Sequence, residues 1–126
     1  MAVHQERAPD DSLSMARWRR HSDMHDHYRW REVMQKVAPR TLRHVKYSLG
    51  MPNNSLGDPT KKIVTVAQGI EYYDELMRIA EEHRLEQLSG IIMTAYYTNL
   101  LTRRALEEIA QSPIVRAVKW YPPHAG

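Results

Sequence analysis

The chain has 126 residues, with 18 Lys plus Arg against 15 Asp plus Glu and a formal charge of +3. That is the length of one ordinary domain, and the positive balance is too small to point to nucleic acid. Apolar residues at 42% and charged residues at 26% match an average soluble globular protein with material for a core. The lack of cysteine excludes a disulfide scaffold and any thiolate-ligated zinc or iron–sulfur centre. No apolar run approaches the roughly 18 residues of a membrane span, and Met1 to Asp11 shows no secretory h-region. A cytoplasmic protein without membrane or nucleic-acid partners is the expectation.

Residues 1–14 are polar, contain a proline and show no periodicity, so they read as a flexible N-terminal arm. Met15 to Tyr28 alternates roughly, as a strand followed by a loop. Glu32 to Val37 reads as a short helix ending near Pro39, because proline disfavours helix at the residue before it. In His44 to Met51, the period of two puts Val45, Tyr47, Leu49 and Met51 on one face of a second strand. Pro52 stops it, and Asn53 to Pro59 is loop. Ile63, Val66, Ile70, Tyr73, Met77 and Ala80 then form one stripe at helical period, weakened slightly by Gly69. Ser89 to Tyr97 is a continuous apolar run suited to a strand covered on both faces. Thr102 caps a short helix closed by Pro113, and Ile114 to Tyr121 is a fourth strand stopped by Pro122 and Pro123. Strands alternating with helices predict an α/β fold with a parallel sheet.

In such folds chemistry gathers at the C-terminal ends of the strands. His25 and His27 are two apart, so on a strand both imidazoles face one way and can reach one ion; a solvated His-rich turn is the plainer alternative. Arg29 extends that face with a fork suited to a carboxylate, or is one more surface arginine. Asn53 is a turn residue or a donor to a substrate. Lys119 lies on a strand otherwise fit for burial, where desolvation makes an amine easier to deprotonate; otherwise it snorkels to the sheet edge. Tyr96, Tyr97 and Trp120 read as core or pocket wall, and His21, His44 and His124 as surface or loop residues.

Asp23-Met24-His25-Asp26-His27-Tyr28-Arg29, Leu49-Gly50-Met51-Pro52-Asn53 and Ala117-Val118-Lys119-Trp120-Tyr121-Pro122, in that order, resemble the amidohydrolase superfamily. Within it the chain resembles the homodimeric bacterial dihydroorotases, over roughly Arg17 to Ala125. The H-x-H-x-R pattern alone is shared with hydantoinases and allantoinases; M-P-N together with K-x-Y-P makes the narrower match. Trp30-Arg31 stands where that family has Asp-Gly, and Pro123-His124 where it has small residues.

The resemblance implies a (β/α)8 barrel of which residues 15–126 supply a partial domain, four strand–helix units ending after the fourth strand. It implies that His25 and His27 ligate zinc and that Lys119, carboxylated on its amine, bridges two zinc ions. Arg29 and Asn53 would bind the carboxylate of dihydroorotate or carbamoyl-aspartate. The implied reaction is reversible hydrolysis of the cyclic amide, helped by metal ions that acidify water and polarise the amide oxygen. The implied catalytic aspartate and two further histidine ligands have no counterpart after Lys119, where His124 is the only further imidazole. A fragment inactive alone, completed by itself or by a partner chain, is therefore expected. A non-catalytic remnant that pairs with an intact homologue is the alternative. A nucleic-acid or phosphate binder is disfavoured by scattered basic residues and the lack of a Gly-rich phosphate loop.

Overall fold

The computed structural model describes residues 21–53 and 62–121; the expected arm at residues 1–14 lies outside them. Seven elements follow in order: β1 (Ser22–Asp26), α1 (Arg31–Leu42), β2 (Tyr47–Gly50), α2 (Val66–Glu82), β3 (Gly90–Tyr96), α3 (Arg103–Gln111) and β4 (Val115–Lys119). The strands form one parallel sheet in the order β1-β2-β3-β4. Each strand is laid beside the last in one direction, and parallel crossovers are right-handed, so all three helices lie on one face. This is the winding of the first half of a (β/α)8 barrel, as expected from the sequence.

The core lies between the sheet and the helices. Ile91, Met93, Ala95 and Val115 face Met34, Ala38, Leu42, Tyr72, Leu76, Ile79 and Ile109. Two of the three ladders carry a register irregularity, between Asp23 and Asp26 in β1 and opposite Met93/Thr94 in β4.

Several elements depart from the sequence reading. The first strand is not upstream of the His motif but runs into it, so His25 sits on β1. Helix α1 continues through Pro39, which is buried with Met34, Ala38 and Leu42; that packing outweighs the one lost backbone bond. In β2 the alternation left the core side open: Ser48 and Gly50 are buried and Tyr47 is exposed, while Val45 and Met51 beyond the strand ends are buried. A parallel strand has two covered faces available, so alternation alone does not select the core side. In α2 the buried line is Gly69, Tyr72, Leu76, Ile79 and Ala80, and Ile70 is exposed. The helix is turned toward Gly69, which meets Val115 so closely that a β-carbon there would lie 2.3 Å from Val115 Cγ2.

Helix ends follow their local chemistry. Thr65 Oγ1 accepts from the Gln68 amide at 3.2 Å, and Gln68 Oε1 accepts from the Thr65 amide at 3.1 Å, a reciprocal capping box. Thr102 Oγ1 accepts from the Ala105 amide at 3.1 Å, as expected from the sequence.

Candidate metal and carboxylate site

The four strands end on one rim. His25 and His27 alternate with Asp26 and Tyr28, which turn the other way into the core. There Ser48 Oγ and Tyr28 Oη both donate to Asp26 Oδ2, the latter at 2.8 Å, and Tyr28 Oη also contacts Ser48 Oγ. Burial raises the Asp26 carboxyl above its usual value, and the two hydroxyl donors work against that rise. This triad ties the end of β1 to β2, and the amide of Met51 adds a bond to Asp26 O at 2.8 Å. Sequence reading missed the triad because Ser48 and Tyr28 are 20 residues apart and no local pattern joins them.

On the rim side, His25 Nε2 and His27 Nε2 are 3.2 Å apart. Two nitrogens bound to one tetrahedral zinc at about 2.0–2.1 Å would be separated by about 3.3 Å, so this pair fits a single ion. Burial lowers the His27 pKa first, and the positive charges of Lys119, His25 and Arg29 add to the effect, favouring the neutral imidazole that a metal needs. Its Nδ1 is buried with no hydrogen-bond partner among the described residues.

Lys119 ends β4 and donates from Nζ to Asn53 Oδ1 at 3.3 Å. Desolvation lowers its pKa. The positive charge of Lys119 is felt at His27 across the rim. Arg29 follows with φ 66, and its carbonyl accepts from Tyr72 Oη at 2.5 Å. Trp30 meets the Tyr72 ring edge-on, with centroids 4.9 Å apart, and completes the anchor. All five residues picked from the sequence therefore lie at strand ends on the same side of the sheet. Tyr97, directly after β3, and Trp120, directly after β4, are exposed and so are not core residues.

No cluster of three or more His, Cys, Asp or Glu occurs among the described residues, so a lysine-derived or external ligand has to complete any metal site built on the two imidazoles. No described helix is long and apolar enough to cross a membrane.

The chain is 31% identical over 103 residues to the dihydroorotase of Picosynechococcus sp., covering 82% of this chain and 28% of that protein. The chain is similar to the N-terminal part of a dihydroorotase. The crystal structure of Saccharomyces cerevisiae dihydroorotase in complex with 5-fluoroorotic acid matches with a TM-score of 0.67 and 28% identity, over 82% of this chain and 26% of that one. Dihydroorotase from Campylobacter jejuni shares the fold, with a TM-score of 0.61 and 22% identity over 82% and 27% of the two chains. No family model matches. This dihydroorotase-like chain thus spans about a quarter of the length of the relatives it matches.

Proposed function

We propose that residues 15–126 form a partial barrel domain carrying one part of a dihydroorotase-type active site. Its reaction is reversible hydrolysis of the cyclic amide of dihydroorotate to carbamoyl-aspartate, in the cytoplasm. The observation that carries this reading is the 3.2 Å approach of the two Nε2 atoms on the rim shared by Lys119 and Asn53.

His25 and His27 would hold zinc through their imidazoles, and Lys119, carboxylated on its amine, would supply oxygen ligands to the same centre. Bound zinc supplies the acidification of water and the polarisation of the amide oxygen. Lys119 suits its part because desolvation raises its share of neutral amine. The amine lone pair bonds to the carbon of CO2, one N–H proton leaves to water, and the product is an anionic carbamate with two oxygen donors. Asn53 has its Oδ1 engaged by Lys119, leaving the amide NH2 to donate to a substrate carboxylate. The Arg29 backbone is held by Tyr72, and its guanidinium is a planar fork suited to a carboxylate.

Asp26, between the two histidines, does not serve as a base: it is turned into the core and held by Ser48 and Tyr28. The catalytic aspartate and the remaining ligands would come from outside these residues, through a following segment, a second copy or a partner chain. Residues 1–126 alone are then inactive. A second reading, a non-catalytic module that pairs with an intact homologue, is favoured by β1 and β4, each paired on one side only among the described residues. Met24, Val118 and Trp120 are exposed on or beside those strands.

Zinc content after equilibration and dialysis tests the main reading. The wild-type chain should retain zinc, His25→Ala/His27→Ala should lose it, and Lys119→Ala should hold less. Equal zinc in wild type and the double variant would remove the metal site. Turnover of dihydroorotate by the isolated chain would remove the claim that it needs completion.

A further inference from the structure

One cation at the rim is not used by the site described above. Lys62 forms an isolated antiparallel bridge with Asn53. The adjacent Ile63 amide donates to Pro52 O at 3.0 Å, and Ile63 O accepts from the Tyr96 amide at 2.7 Å. These bonds insert residues 62–63 between the ends of β2 and β3, so the position of Lys62 is set by backbone. Its ammonium lies 4.9 Å from the centroid of the Tyr96 ring. Tyr96 pairs in register with Lys119, and partners in register present their side chains to the same sheet face. Lys62 therefore overhangs the face from which Lys119 reaches Asn53.

We propose that Lys62 is a specificity-determining residue that binds the carboxylate of an organic acid at this mouth, together with Arg29 and Asn53. The inference rests on the proposed function and extends it. Among the described residues no carboxylate pairs with Lys62 or Arg29; the ion pairs there lie on α2 and α3, at Arg78–Glu82, Arg103–Glu107 and Arg104–Glu108. The Tyr96 ring covers one side of the ammonium and leaves other N–H donors directed away from it. Carboxylation turns Lys119 from a cation into an anion, so the attraction for a substrate carboxylate has to come from other cations. Among the described residues, Arg29 and Lys62 are cations near this mouth without a carboxylate partner, and Lys62 is half-buried, where a charge is less screened than at an exposed site.

The test is binding of L-dihydroorotate, of dihydrouracil (the same ring without its carboxylate) and of succinate to the intact chain, followed by NMR or calorimetry at millimolar ligand. Lys62→Met should weaken both acids by about tenfold or more, and Lys62→Arg should retain most of the affinity. Lys46→Met is the control, since Lys46 makes a similar contact, 5.6 Å from the Tyr47 ring, at the opposite end of β2. It should change nothing. Acid binding unaltered in Lys62→Met, equal weakening of dihydrouracil, or no binding of either acid by wild type would each overturn the assignment. Lys62-dependent binding of succinate without binding of the ring acid would keep the Lys62 site and reject dihydroorotate as its ligand.

Discussion

Gly69 of α2 rests directly on Val115 of β4: a β-carbon at position 69 would stand 2.3 Å from Val115 Cγ2. This contact selects which side of α2 is buried, and it converts a residue unfavourable to the helix into one that the packing requires. Alanine at 69 gains about 1 kcal/mol of helix propensity but forces overpacking that costs about 1–3 kcal/mol. Gly69→Ala should therefore lower the midpoint of thermal unfolding. Adding Val115→Ala should cost less in the Gly69→Ala background than in wild type, and simple additivity in the double variant would dismiss the contact as the cause.

Arg31 opens α1 with φ 49, a left-handed conformation in a non-glycine residue. It stands where the dihydroorotase resemblance has glycine. The left-handed region costs an L-residue about 1–2 kcal/mol, and glycine escapes most of it. Arg31→Gly should raise stability by about 1 kcal/mol in urea unfolding. A lower midpoint would mean that Arg31 makes compensating contacts through its side chain.

The pH dependence of the metal-free chain turns partly on His27. Burial and nearby positive charge place its folded pKa below the ordinary 6.5. The folded state therefore binds this proton less readily than the unfolded one, and stability falls as pH drops below about 6.5. Unfolding midpoints measured in chelator from pH 7.5 to 5 should fall more for wild type than for His27→Gln. Parallel curves would show that His27 carries no such linkage.

Much of this architecture was legible in the chain. The helix–strand alternation, the Thr102 cap and the strand over 90–96 follow from local periodicity and turn chemistry, and the structure contains each of them. The errors share a physical origin. Val45, Tyr47, Leu49 and Met51 mark a strand correctly, but the choice between its faces depends on Met93 and the helices, which are distant in sequence. The stripe Ile63 to Ala80 identified α2 but missed its rotation, because a glycine counts as featureless in a hydrophobic pattern and as decisive in a close contact. For the site, His25, His27, Arg29, Asn53 and Lys119 were readable as motif positions. Lys62 was not, since the backbone bond that brings its neighbour Ile63 to Tyr96 joins residues more than 30 positions apart.

The two register irregularities have a consequence for the orientation of the ligands. In β4, Val115 aligns with Met93 and faces the helices, and uninterrupted alternation would send Lys119, four residues on, to that same buried side. The extra residue between Val115 and Ala117 shifts the count by one, so Lys119 aligns with Tyr96 and emerges opposite. In β1, Asp23 aligns with Ser48 and Asp26 with Gly50, three steps against two, and the same parity change turns His25 and His27 outward. Deleting Arg116 at the β4 bulge would leave every motif letter intact while driving the Lys119 amine into oil.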